Sequence, residues 1–319
     1  MNKPPYEITG SILSLYGKIN DRLGQCKGLM LVRPEAHLRR ENRIKTIQSS
    51  LAIEGNTLEI EQVTAILNKQ RVVAPAREIL EVQNAILAYD LLPKLKSHSS
   101  DDFLKIHGVL LKGLVKESGR FRSNAVGIMK GTEVKHVAPG PQMVPGLMKN
   151  LFSYLREDQD LPIIKSCVFH YEMEFIHPFQ DGNGRMGRFW QTKILMEENP
   201  IFEFLPTETT VKEKQGDYYQ ALADSDSQGK STIFIEYMLE RILEALDSVL
   251  KASGAKGADY TKRVEFALSQ LTGWFDRKTY LEVCKNVSTA TASRDLRQMI
   301  EDSRVEVSGT GRMTRYRKI

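Results

Sequence analysis

Between Pro162 and Ile176, the residues Ile164, Val168, Tyr171 and Phe175 fall at i, i+4, i+7 and i+11, one face of an α-helix. The stripe stops at His177, and helical texture resumes over Asn183–Glu197. Most of the first 250 residues share this texture. Glu35–Ile53 is rich in helix formers, with Leu38, Ile44, Ile47 and Leu51 along it, and Gly55-Asn56 then stops it. Further helices are expected over Leu58–Leu67, Ala76–Leu95, Asp102–Val115, Val144–Leu155 and, in one or two pieces, Asp217–Leu250. One stretch departs from the pattern. Between Gly119 and Pro145, three glycines (Gly127, Gly131, Gly140) and three prolines (Pro139, Pro141, Pro145) punctuate two β-prone pieces, Ala125–Met129 and Glu133–Val137. These features imply a mainly α fold with one β-hairpin and a long loop.

The chain has 319 residues, 41% hydrophobic and 27% charged, enough for a sizeable core and two or three domains. The small residues of Ser253–Ala258 suggest a linker. The expected organisation is an N-terminal helical region (1–95), a helical core (96–252) and a small C-terminal domain (259–319). Cys26, Cys167 and Cys284 are too scattered for a disulfide framework, which favours a reducing, cytoplasmic setting. The opening residues lack the apolar region of a signal peptide, and no apolar run approaches the ~20 residues of a membrane span. No membrane association is expected. Of the 45 basic and 40 acidic residues, 12 and 8 lie in 259–319, so the basic excess sits mostly in that segment. A polyanionic partner would suit it.

The stretch His177-Pro-Phe-Gln-Asp-Gly-Asn-Gly-Arg-Met-Gly-Arg188 carries the chemistry. A helix ends at a histidine, and a short glycine-containing loop leads into the N-terminus of the next helix. Backbone N–H groups at such a start form an anion cradle, and Gly182 and Gly184 allow close approach. Arg185 and Arg188, three apart, project from one helical face, and two guanidiniums beside a cradle suit a polyphosphate. Asp181 adds a carboxylate where Mg²⁺ bridging phosphates would need one. His177 is suited to act as a base near neutral pH.

This pattern resembles the Fic family, whose signature is His-Pro-Phe-x-(Asp/Glu)-Gly-Asn-Gly-Arg-x-x-Arg, and every specified position is matched. The resemblance implies a Fic helical core that transfers a nucleotidyl group, most often AMP from ATP, to a protein hydroxyl. By that resemblance His177 deprotonates a Ser, Thr or Tyr of a target protein or of the chain itself. Asp181 is the implied Mg²⁺ ligand, and Gly182, Asn183 and Gly184 form the anion hole. Arg185 is expected on the β-phosphate and Arg188 on the γ-phosphate, with Met186 and Gly187 in the same ATP-binding segment. Gly119-Arg-Phe-Arg122 and the hairpin after it look like the family's flap, which aligns the target by strand addition. Lys130 and Gly131 are expected near its tip, at the nucleotide. Tyr218 and Tyr219 resemble the pair of tyrosines that borders the adenine.

Upstream, Ser50-Leu-Ala-Ile-Glu54-Gly55 matches the family's inhibitory pattern, (Ser/Thr)-x-x-x-Glu-(Gly/Asn). Its place before the signature resembles the subclass whose inhibitory helix is N-terminal on the same chain. Glu54 is then expected to pair with Arg188 and take the place of the γ-phosphate.

Within 259–319, helices are expected over Val264–Leu271, Arg277–Cys284 and Ser288–Ile300, with strand, glycine turn and strand after them over Val305–Arg317. Three helices and a hairpin suggest a winged helix. Arg294, Arg297, Arg312, Arg315 and Arg317 would meet the phosphates of DNA if DNA is its partner; protein contacts or a homodimer are the alternative uses. Three other functions stay open for the whole chain. They are removal of AMP at the same site, transfer of a different phosphate-containing group, and a DNA-binding regulator or toxin–antitoxin component.

Overall fold

A computed structural model describes residues 3–28, 36–130, 133–284 and 287–319. Two units divide it, Met1–Ser248 and Val249–Ile319. The first begins with helices α1 (Gly10–Gly28), α2 (Ala36–Ile53), α3 (Ile60–Leu67), α4 (Ala76–Leu91) and α5 (Ser100–Leu110). Strands β1 (Gly127–Lys130) and β2 (Glu133–Val137) come next, paired antiparallel with Gly127 opposite Val137. Helices α6 (Val144–Glu157), α7 (Pro162–Ile176), α8 (Asn183–Glu198), α9 (Thr207–Glu213) and α10 (Gln215–Gln228) complete this unit together with the start of α11 (Thr232–Gln270). The architecture is mainly α.

Helix α7 starts with Pro162 in its first turn, where the missing N–H costs nothing. It is buried on almost every side rather than along one stripe, because other helices enclose it; Phe175, counted in the stripe, is instead 37% exposed. Beside it, α8 buries Trp190, which meets Phe103 edge to face at 5.1 Å. Phe152 and Phe169 close the same cluster around Phe103. Edge-to-face rings add ~0.5–1.5 kcal/mol per pair to their burial. The Trp190 indole N–H is satisfied by the Ser97 carbonyl at 2.9 Å. This aromatic core holds α5, α7 and α8 in fixed register, and with them the loop between α7 and α8.

Several expected boundaries move. Helix α4 stops at Leu91 and not Leu95, since Pro93 has no N–H to continue the ladder and a 3-10 turn, Leu92–Lys94, takes over. Helix α5 begins at Ser100, capped by the Ser99 side chain, and ends at Leu110 rather than Val115. The expected linker, 253–258, lies inside α11. Its two glycines cost roughly 1 kcal/mol each, but extending a formed helix needs no new nucleus.

The second unit contains the end of α11, β3 (Trp274–Phe275), α12 (Arg277–Val283), α13 (Thr289–Glu301), β4 (Val305–Ser308) and β5 (Arg315–Lys318), with sheet order β3-β5-β4. Val264, Leu271, Tyr280, Leu296 and Met299 form its core. Asp295 is turned inward, where Arg263 forks onto it at 2.9 and 3.0 Å and the Tyr280 hydroxyl donates at 2.9 Å. Arg294, Arg297 and Arg315 are exposed. Arg317 bonds Glu306 and lies 4.8 Å over the Trp274 ring. The Arg312 side chain lies outside the described residues.

Candidate active site

His177 ends α7 in the left-handed region, at φ 49° and ψ 61°. A non-glycine residue there costs about 1–2 kcal/mol and persists only where its surroundings hold it. Arg122 does so. Its buried guanidinium donates to the carbonyls of His177 at 2.7 Å, Ile176 at 3.3 Å, Asn124 at 2.8 Å and Pro139 at 2.5 Å. Burial pulls the Arg122 pKa below its ordinary value. One side chain thereby ties the helix end to the residues flanking the hairpin. The His177 ring is half-buried, with Nδ1 3.3 Å from the Glu174 carbonyl. A carbonyl only accepts, so in the neutral imidazole Nδ1 carries the proton and Nε2 the lone pair.

The loop after it closes on itself. Asn183 Oδ1 accepts from the Phe179 N–H and its Nδ2 donates to the Phe179 carbonyl, both at 2.9 Å. The Asn183 side chain is therefore spent on bracing the loop, and only its backbone remains for an anion. Gly182 caps α8 at φ 84°, and a Cβ there would lie 2.6 Å from Leu111 Cδ2. Gly184 lies under the Glu54 carboxylate, which would overlap any added Cβ. Gly187 packs on His170, 2.6 Å from where its Cβ would be, and Met186 is fully buried.

Asp181 and the two arginines form a charged rim. Arg185 donates to Asp181 at 3.0 Å, and Arg77 of α4 reaches the same carboxylate at 3.6 Å. Glu81 of α4 faces Arg185 at 3.8 Å. Arg188 donates to Glu54 at 2.7 Å, to the Ser50 carbonyl at 2.9 Å and to the Ser50 hydroxyl at 3.3 Å. Burial alone would lower the Arg188 pKa, but Glu54, with Tyr218 and Glu174, more than offsets this and holds it above the ordinary value. Arg185 Nε and Arg188 Nη1 are buried without a hydrogen-bond partner among the described residues. Such orphaned cationic donors fit an incoming anion. No cluster of three or more His, Cys, Asp or Glu suited to a metal occurs among the described residues, so a cation here would rest on Asp181 and on the ligand's own oxygens.

Tyr218 is buried and bonds His170 Nε2 at 3.1 Å, whereas Tyr219 is 46% exposed. Burial pushes the His170 pKa down to about 3, so it stays neutral. Lys130 lies in β1, with its side chain outside the description, and Gly131 lies outside the described residues. The sequence motifs single out neither Arg77 nor Glu81, and Arg122 stands in them only inside Gly119-Arg-Phe-Arg122.

A helix-flanked cradle with histidine, carboxylate and paired arginines suits a phosphate-bearing ligand. The Fic/DOC family profile matches residues 97–195. A Fic family protein of known structure from Desulfovibrio desulfuricans G20 is 39% identical, with a TM-score of 0.76, over 100% of this chain and 98% of that one. The chain belongs to the Fic/DOC family. It is similar to the protein adenylyltransferase Fic of Nematostella vectensis, 31% identical over 67% of this chain and 50% of the relative. Protein adenylyltransferase fic-1 of Caenorhabditis elegans is 32% identical over 57% of this chain and 36% of the relative. The chain thus spans half or less of the length of these curated relatives.

Proposed function

We propose that the chain transfers AMP from ATP to a hydroxyl of a target protein, and to its own, and that Glu54 holds this activity down. The observation that carries the reading is the Glu54 carboxylate seated over Gly184 and bonded to Arg188, an anion already placed at the start of α8. A phosphate attracted by the same N–H groups and guanidinium competes with it. Once it is displaced, Arg188 meets the γ-phosphate and Arg185 the β-phosphate. His177 Nε2 takes the proton of a Ser, Thr or Tyr hydroxyl, whose oxygen bonds the α-phosphorus while the bond to the β-phosphate oxygen breaks. Pyrophosphate leaves. Asp181 would hold Mg²⁺, which supplies neutralisation of the phosphate charge. Positioning and electrostatics supply most of the acceleration in such transfers.

The relatives named as protein adenylyltransferases support this reading. For the second unit, the helix and strand order supports a winged helix, and the exposed Arg294, Arg297 and Arg315 suit phosphate contacts.

Incubation with ATP labelled at the α-phosphate tests the reaction, with wild type against His177→Ala. Label should enter protein with wild type and fall ~10²–10⁴-fold with the variant, at unchanged nucleotide affinity. Label from the γ-phosphate entering protein instead, or equal labelling by both proteins, would contradict it.

A further inference from the structure

His107, on α5, is 1% exposed and has no part in the reaction steps above. Three of its contacts are directional. Nδ1 accepts the Gly119 N–H at 2.8 Å. A ring nitrogen that accepts carries no proton, so Nε2 carries it and donates to the Asp181 carbonyl at 3.0 Å. The ring lies flat on Phe179, with centroids 3.6 Å apart and planes 4° apart.

The bond to Asp181 matters because the carbonyl it holds shares a peptide group with the Gly182 N–H. That peptide is trans and planar, so its N–H points away from its carbonyl. With the carbonyl fixed toward His107, the Gly182 N–H is turned to the opposite side. Gly182 itself does not enforce this orientation. Without a Cβ it tolerates either setting of the peptide, so a flip is cheap unless something outside the loop prevents it. A flipped peptide would present a carbonyl oxygen where the cradle needs a donor, and would repel phosphate.

We propose that His107 is a positioning residue of the nucleotide site, holding the Asp181–Gly182 peptide in the one orientation that presents N–H to the phosphates. This rests on the nucleotide-transfer reading above. Burial first of all, with the nearby Arg185, brings the His107 pKa down to about 4, consistent with the neutral tautomer the two bonds require. An imidazolium would lose the Gly119 bond.

The test compares three variants in a Glu54→Gly parent by calorimetric titration with ATP and Mg²⁺, which needs no turnover. The amide nitrogen of Gln reaches the place of imidazole Nε2, so His107→Gln keeps the donor to Asp181. His107→Asn reaches only the place of Nδ1, and His107→Phe keeps the ring stack without either polar contact. His107→Gln should bind within about threefold of the parent. Asn and Phe should bind at least tenfold more weakly, with melting points close to that of the Gln variant. Should either the Asn or the Phe variant fail to fold, the other makes the same comparison. Binding by Asn or Phe as tight as by Gln would overturn the proposal while leaving the nucleotide reading intact. Absence of ATP binding by the parent would sink both.

Discussion

Glu54 and Arg188 form an unequal ion pair. The guanidinium side chain is 2% exposed and also held by Ser50 of α2, whereas the Glu54 side chain, just past the end of α2, is 34% exposed. Leaving Arg188 buried and unpaired would cost on the order of 3–5 kcal/mol, while Glu54 can return to water cheaply. The carboxylate is therefore the partner that yields, and only to another anion. On the proposed function a phosphate would meet that condition, and nucleotide binding and release of Glu54 would be one event.

Asp181→Ala should weaken Mg²⁺-supported labelling, with excess Mg²⁺ restoring part of it. Its side chain is 38% exposed and the buried Arg185 keeps Glu81 at 3.8 Å as a partner, so the melting point should move little. A Mg²⁺ titration of labelling by Glu54→Gly with and without the substitution measures it. Activity indifferent to both the substitution and a chelator would remove the metal role.

Arg122→Lys should destabilise the protein by about 3 kcal/mol or more. An ammonium does not reproduce a planar fork serving four carbonyls, and each buried carbonyl left unpaired costs ~1–3 kcal/mol. Urea unfolding reports the loss. A midpoint equal to wild type would show that the helix end and the hairpin base hold without it.

How these residues act was only partly written in the sequence. The bounds of α7 were legible because Pro162 opens it and a Gly-rich break ends it, and the start of α8 because local chemistry sets it. Arg77 and Glu81 were not, since a pair between α4 and the signature loop spans about a hundred residues and leaves no periodic trace. His107 on an apolar helix face reads as core, and its two polar bonds exist only once Gly119 and Asp181 are brought to it. β3 has two residues, too few to show alternation. Segment 253–258 looked like a linker by composition, yet its flanks impose helix.

Glu208 makes the stability of the first unit pH-dependent. It is 2% exposed, and burial pushes its pKa up to about 7. Because the folded value exceeds the unfolded one, the native state's advantage is full below about 4.5 and is lost as pH rises through about 7. Glu208→Gln should therefore melt above wild type at pH 8, by roughly 3 kcal/mol at most, with the gain shrinking to nothing by pH 4. Equal differences at both pH values would show that the carboxyl does not titrate in this range.

The measurement that bears most directly on the account is auto-labelling by Glu54→Gly against wild type, across a range of ATP concentrations. Removing the carboxylate clears the space over Gly184 and frees Arg188. Labelling should rise tenfold or more if even ~1.4 kcal/mol is released toward the productive pose, and a second substitution of Arg188 should cancel the gain. Equal labelling by Glu54→Gly and wild type at every ATP concentration would contradict the account, leaving Glu54 a helix-end charge with no hold on the site.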